Sequence, residues 1–254
     1  MKLIILGSGT SIPLADRASP SLALIVAGSP ILFDMGPGTL CQMTRAGLDF
    51  EKIEQIFITH FHPDHTADLI HFLFASRSPS IVKRRNPFVI TGPRGLKDLV
   101  LKLQSAYPDW LTLPSDVMEI EELEIGKTTT KDYEGFRITV CPTNHTQHSL
   151  AYCIETITGK SVVYSGDTGF CDDVVDLAQG ADLLILECSF PDGMEVEGHL
   201  TPALAGKIAE MANVNKLVLT HFYPECLKTD IETQCRKTFQ GELILGKDLL
   251  EIRI

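Results

Sequence analysis

Two pairs of strands with no helix between them constrain this chain more than any other feature. SLALIV and ILFD, at residues 21–26 and 31–34, are apolar runs separated by the turn AGSP. FRITVC and SLAYCIE, at 136–141 and 149–155, are separated by a short loop. Strands joined so closely pair antiparallel, because a parallel pair needs a crossover of about a dozen residues or more. Around these hairpins KLIIL, QIFIT, PFVIT, SVVYSGD, DLLILE, KLVLTH and LLEIRI have the length and apolar content of strands. GTLCQMTRAGL, HTADLIHFLFAS, RGLKDLVLKLQSAY, DDVVDLAQ and TPALAGKIAEMA carry apolar residues at three- and four-residue spacing and read as helices. Pro202 after Thr201 fits the start of the last of them. Hairpins interleaved with helices predict an α/β fold of mixed sheets covered by helices, not a doubly wound parallel sheet. No repeat or low-complexity linker interrupts residues 1–254, so one domain is expected.

A hydrophobic content of 44% is enough for a sizeable core. The opening MKLIILGSGTSIP has an apolar run broken at Gly7, too short for a signal peptide, and reads as a first buried strand. No apolar run approaches the roughly 18 to 20 residues of a membrane span, and a cytoplasmic protein is expected. Cysteines at 41, 141, 153, 171, 188, 226 and 235 include no CxxC pair and are expected as buried free thiols. The net charge of −11 disfavours an extended nucleic-acid footprint. It says little about one pocket, where divalent cations would reverse the local sign. The acidic SDVMEIEELEIG and basic SRSPSIVKRRNP are expected as solvated edges or loops. In the basic stretch Arg77, Lys83, Arg84 and Arg85 could meet an anionic substrate.

THFHPDH, residues 59–65, holds three of the chain's eight histidines. It lies between the strand QIFIT and a helix, at a strand end where functional groups usually collect. Pro63 excludes a continuous helix through the cluster. Alternation lets His60 and His62 point the same way, and the turn brings Asp64 and His65 around. Imidazoles with a carboxylate suit zinc, manganese or ferrous iron. A closed structural zinc site would more usually use thiolates, and none are here. Further polar groups recur at strand ends: His145 after FRITVC, Asp167 after SVVYS and His221 after KLVLT.

With these residues in place the chain resembles the metallo-β-lactamase superfamily, from about residue 3 to about residue 225. Asp34 in ILFDMGPG, THFHPDH, His145, Asp167 and His221 resemble its successive motifs. The resemblance implies a four-layer αββα sandwich, with two mixed β-sheets flanked by helices and the site at one edge between them. It implies two divalent metal ions, with zinc favoured over manganese or iron. His60, His62 and His145 would hold one ion, Asp64, His65 and His221 the other, and Asp167 would bridge them. His148 rivals His145, which is preferred for its distance to the following LAY. Asp34 would orient a ligand imidazole.

LGSGTSIPLADRASPSLAL with Arg17, ADLLILECSF, GHLTPALAGKIAEMA and LVLTHF resemble the ribonuclease Z-like branch, which includes small phosphodiesterases. That implies a metal-dependent hydrolase, most simply a phosphodiesterase using metal-activated water. Asp64 would influence that water, His199 would protonate the leaving oxygen, and Glu187 would support the site. His199 has a plainer reading as a helix-start histidine, and Glu187 as a structural carboxylate. Gly7, Ser8 and Gly9 could cradle a phosphate, although a tight turn explains them equally. The long arm with which bacterial members grip transfer RNA has no room here, since only a strand, a TGK turn and a strand join His145 to Asp167. The expected substrate is therefore a small phosphodiester or ester, with extended nucleic-acid binding and membrane association not expected and a homodimer left open. The alternatives are an ester, sulfate-ester, lactone or thioester hydrolase, a tRNA 3′-processing endoribonuclease that relies on a partner for RNA binding, and a non-catalytic metal-binding scaffold.

Overall fold

The computed structural model describes residues 1–77, 86–124 and 128–254. Lys83, Arg84 and Arg85, offered above as anion contacts, lie outside the described residues. Six strands of the first sheet are β1 (Lys2–Gly7), β2 (Ser21–Val26), β3 (Ser29–Phe33), β4 (Gln55–Phe57), β5 (Phe88–Pro93) and β6 (Met118–Leu123). The second sheet contains β7 (Thr129–Tyr133), β8 (Phe136–Pro142), β9 (Leu150–Thr156), β10 (Ser161–Tyr164), β11 (Leu183–Glu187), β12 (Lys216–Thr220) and β13 (Glu242–Leu245). The final strand β14 (Glu251–Arg253) returns to the first sheet, giving the order β14-β1-β2-β3-β4-β5-β6. The second sheet runs β13-β12-β11-β10-β9-β8-β7.

Each sheet is half antiparallel and half parallel. The expected hairpins β2–β3 and β8–β9 are antiparallel, with Leu24 opposite Ile31 and Ile138 opposite Ile154. From β3 to β6 and from β10 to β13 the pairing is parallel. Helices α1 (Thr39–Arg45), α2 (Pro63–Thr66), α3 (Asp68–Arg77) and α4 (Leu96–Ala106) lie among the strands of the first sheet in sequence. In the second half come α5 (Asp172–Leu177), α6 (Pro202–Met211), α7 (Pro224–Leu227) and α8 (Ile231–Cys235).

Three buried apolar clusters account for the layers. Leu3, Ile5, Leu22, Leu24 and Phe33 of the first sheet meet Ile138, Tyr152, Val162, Leu183 and Val218 of the second. The alternate residues Ile4, Leu6, Ala23 and Leu32 face outward onto Met43 of α1, Leu69 and Phe72 of α3 and Val100 of α4. On the opposite flank Val163, Leu184, Leu186 and Leu217 pack against Val174 of α5, Ala205 and Ile208 of α6 and Ile231 of α8. This is the expected αββα sandwich. Strands buried on both faces read as continuous apolar runs, which is why they stand out in the sequence. At the bottom of the site Phe33 stacks on Phe57 at 5.2 Å, and Tyr152 packs on Phe57 at 5.4 Å. The Tyr152 hydroxyl donates to the Ile58 carbonyl at 2.8 Å, tying the second sheet to the segment that leads into the histidines.

Three strands escape the sequence reading. β6 lies in the acidic stretch expected as a solvated edge or loop; it is the edge strand of its sheet, paired parallel to β5. Met118 and Ile120 pack inward while its glutamates stay at the margin, a charged edge that discourages pairing with another chain. β7 and β13 also lie at a sheet edge, where partial exposure breaks the apolar run. The seven cysteines are free as expected, but only Cys141, Cys188, Cys226 and Cys235 are buried; Cys153 and Cys171 are partly buried and Cys41 is exposed. Among the described residues no helix is long and apolar enough to cross a membrane.

Candidate metal centre

The parallel halves of both sheets end at one rim, as does β8, which runs in the same direction as β10, and the chain leaves that rim through polar residues. Asp34 follows β3, Thr59 and His60 follow β4, and His145 follows β8. Asp167 follows β10, Glu187 ends β11, and His221 follows β12. Asp34 and His221 both take left-handed backbone conformations, each with φ of 59°. Non-glycine residues hold such angles only where their surroundings impose them, and these cluster at functional sites. Within THFHPDH, Pro63 does not end regular structure but begins it: it occupies the first turn of α2, where a missing N–H costs nothing. That turn carries Asp64 and His65 towards the rim, while His62 sits at the helix boundary.

Ligand atoms of His60, His62, His145 and Asp167 lie within 4.8 Å of one another, as do those of Asp64, His65 and His221. Asp167 stands between the two groups. Its Oδ1 is 3.2 Å from His65 Nε2 and 3.3 Å from His221 Nε2. Its Oδ2 is 3.8 Å from both His60 Nε2 and His145 Nε2. His145 Nε2 is also 3.1 Å from His62 Nδ1. Asp64 Oδ2 lies 3.7 Å from His221 Nε2 and 4.0 Å from His65 Nε2.

Among the described residues, His60 Nε2, His65 Nε2, His221 Nε2 and Asp167 Oδ1 are buried without a hydrogen bond of good geometry. Leaving such groups unsatisfied costs about 1–3 kcal/mol each. Four orphaned donor atoms converging on one space, backed by further imidazoles and carboxylates, fit divalent metal ions.

Neighbouring groups fix the directions of these rings. Asp34, fully buried, accepts from the Thr59 backbone N–H at 2.8 Å and from the Tyr164 hydroxyl at 3.0 Å. Its Oδ2 is 2.8 Å from His65 Nδ1, which leaves Nε2 facing Asp167. The loop carrying Asp34 approaches α2 so closely that a Cβ at Gly36 would lie 2.2 Å from the Asp64 carbonyl. His145 Nδ1 donates to the Gly198 carbonyl at 2.9 Å. Gly198 has φ of 81°, and a Cβ there would stand 3.0 Å from His145 Nδ1. Glu187 Oε1 accepts from His199 Nδ1 at 2.7 Å, and the His199 ring lies 4.9 Å from that of His145.

The electrostatics follow from burial and crowding. Burial, then the neighbouring His65, push the His60 imidazole well below its ordinary value, although Asp167 opposes them. Burial likewise lowers His145. At His65 burial also disfavours the charge, but the Asp167 and Asp34 carboxylates more than offset it and hold the ring well above the usual value. Burial disfavours an ionised Asp64 as well, yet the nearby His221 and His65 imidazoles bring it below the usual carboxylate range. For His199 burial is outweighed by Glu187, and its affinity for a proton rises.

Asp34, His60, His62, Asp64, His65, His145, Asp167, Glu187, His199 and His221 all lie at this rim, and His145, not His148, joins the clustered donors. His148 instead packs its ring 6.1 Å from Phe61, with its backbone N–H on Thr146. The phosphate cradle at Gly7, Ser8 and Gly9 is already used. Ser8 donates its N–H and hydroxyl to Asp248 at 2.9 and 2.7 Å, and Gly9 N–H goes to the Ala18 carbonyl. Arg17 donates to Ser8 Oγ and the Gly246 carbonyl and packs over Phe222, so it braces this turn. Arg77 lies over the ring of Trp110. Sequence reasoning missed Thr59, Ser189 and Gly198. Thr59 adjoins His60 and Ser189 lies two residues past Glu187, but a lone hydroxyl or glycine carries no periodic signal.

Residues 30–222 match the beta-lactamase superfamily domain. Ribonuclease Z of Methanothermobacter thermautotrophicus is 28% identical over all of this chain and 97% of its own length. Among solved structures, human tRNase Z, short form, is 26% identical with a TM-score of 0.82, covering 100% of this chain and 99% of that one. The metallo-beta-lactamase fold protein YhfI from Bacillus subtilis is 24% identical with a TM-score of 0.85, covering 99% of each chain, and shows the same fold. These relatives overturn the expectation of a small phosphodiester or ester substrate with extended nucleic-acid binding unlikely, since proteins matched along their whole length are ribonucleases by name. That expectation failed because net charge is a sum over the whole surface, whereas substrate phosphates meet a local field that metal ions dominate.

Proposed function

The chain belongs to the beta-lactamase superfamily, and on that premise we propose that it is a metal-dependent phosphodiesterase of the ribonuclease Z type that cuts RNA. One observation carries the reading: Asp167 lies within 3.8 Å of imidazoles from both donor groups, and His199, which itself groups with Asp167 and His221, is held by Glu187. His60, His62 and His145 would hold one divalent ion, Asp64, His65 and His221 a second, with Asp167 between them. An all-imidazole and carboxylate set suits zinc, and manganese(II) or iron(II) accept the same donors. When bound, such a pair supplies a nucleophilic water near neutral pH and neutralises charge on the phosphoryl oxygens.

The remaining steps belong to the protein. Asp64, held below the usual carboxylate range, is a weak base; besides ligation it orients the attacking water by accepting its hydrogen bond. Glu187 keeps a proton on His199 Nδ1, which leaves Nε2 to deliver a proton to the departing ribose oxygen. Poor leaving groups such as a sugar alkoxide need that proton most. Free thiols at all seven cysteines suit a reducing compartment, and we place the protein in the cytoplasm.

The test is a precursor tRNA transcript with a 3′ trailer, incubated with the isolated protein in Zn²⁺ or Mn²⁺. A discrete endonucleolytic cut at the 3′ side is expected. An intact transcript, together with turnover of an aryl ester, sulfate ester, lactone or thioester, would replace this reading with another hydrolase of the same fold.

A further inference from the structure

Each of the two buried carboxylates behind the site serves two imidazoles, one directly and one through a hydroxyl. Asp34 meets His65 Nδ1 directly at 2.8 Å; Thr59 Oγ1 lies 3.0 Å from both Asp34 oxygens and 3.0 Å from His60 Nδ1. Glu187 meets His199 Nδ1 at 2.7 Å; Ser189 Oγ lies 2.6 Å from Glu187 Oε2 and 2.9 Å from His221 Nδ1. Ser189 Oγ is also 3.2 Å from His199 Nδ1, whose shorter contact is the one to Glu187. Asp34, Thr59, His60, His65, Glu187, Ser189 and His221 are all buried, so water does not compete for the two hydroxyls; His199 is partly exposed.

A hydroxyl has one proton to give. An ionised carboxylate can only accept, and a hydrogen bond to it is stronger than one to a neutral ring nitrogen. The Thr59 and Ser189 protons therefore point to Asp34 and Glu187, and each hydroxyl oxygen is left to accept from an imidazole. That requires a proton on Nδ1 of His60 and of His221, and so a lone pair on Nε2 of each. Those two Nε2 atoms, like that of His65, are buried without hydrogen-bond partners, and both face Asp167.

We propose that Thr59 and Ser189 are positioning residues, each relaying a buried carboxylate to one imidazole so that His60 and His221 are held as Nδ1–H tautomers with Nε2 free for a metal ion. The inference rests on the ligand assignment proposed above and adds a division of labour: Thr59 serves the ion of His60, His62 and His145, and Ser189 serves the ion of Asp64, His65 and His221. A Cβ-only side chain at either position leaves a buried Nδ1–H without an acceptor and the ring free to exchange tautomers.

Two measurements test this. Long-range ¹H–¹⁵N correlation of the histidine rings in the metal-free protein should show His60 and His221 protonated at Nδ1, with Ser189→Ala mixing the tautomers of His221 alone. Zn²⁺ titration against a competing chelator should show one of two ions weakened about 10- to 100-fold in Ser189→Ala and the other in Thr59→Val, the usual cost of losing a group behind a ligand. Ser189→Thr and Thr59→Ser, which keep the hydroxyl, should restore affinity. Nε2–H tautomers at His60 and His221, or two ions bound equally tightly by all variants, would overturn the relays. Failure of the unsubstituted protein to take up any Zn²⁺ would strike the ligand assignment instead, and the ring tautomers would still decide the relays. If Thr59→Val does not fold, the tautomers of the unsubstituted protein decide for His60.

Discussion

His199 meets Glu187 at 2.7 Å, and that carboxylate is itself held by the backbone N–H groups of Thr168, Ser189 and Leu200 at 3.0, 3.1 and 3.2 Å. The imidazole is thereby given a fixed direction and a raised affinity for its proton, despite burial that opposes the charge. A raised value means that His199 stays protonated to higher pH than a free histidine and loses the acid form as pH rises through that value. Glu187→Gln removes the charge, so the alkaline limb of kcat should move to lower pH. A pH–rate profile measures this; an unmoved alkaline limb would assign that limb to another group.

His199→Ala should retain its metal ions and slow RNA cleavage by about 10²- to 10⁴-fold, the usual worth of a general acid. The loss should shrink on a p-nitrophenyl phosphodiester, whose leaving group departs without protonation. Equal losses on both substrates would make His199 a binding or structural residue.

His62→Ala should lose metal and activity, whereas His148→Ala should keep both, because only His62 lies among the clustered donors. Elemental analysis of protein purified without chelator reads the difference. The unsubstituted protein should approach two equivalents, and a fully loaded, active His62→Ala would contradict the site as drawn.

Leu184 is fully buried between β11 and the helices behind it, whereas Leu101 is 60% exposed on α4. Leu184→Ala should lower unfolding free energy by about 2–5 kcal/mol through lost transfer energy and a residual cavity. Leu101→Ala should stay within about 0.5 kcal/mol. Urea denaturation midpoints compare the two directly.

Much of the architecture was determined by the sequence alone. β1, β2, β10, β11 and β12 are buried on both faces, so each is an unbroken apolar run that local reading detects. The ligand-bearing motifs were legible for the same reason, since Asp34, His60, Asp167 and His221 are polar residues placed just past such runs. The edge strands β6, β7 and β13 were not legible, because partial exposure mixes charged and apolar residues and erases the pattern. What only the tertiary structure decided is which groups meet. His145 and His148 are neighbours in one loop, and the contact that separates them comes from Gly198, on a segment that the chain reaches only after three further strands of the second sheet. Thr59 and Ser189 are ordinary hydroxyl residues until Asp34 and His221 are brought to 3.0 and 2.9 Å from them. Local periodicity records which face of an element is buried. Hydrogen bonds between loops far apart in the chain leave no such record, because they depend on how the two sheets close around the rim.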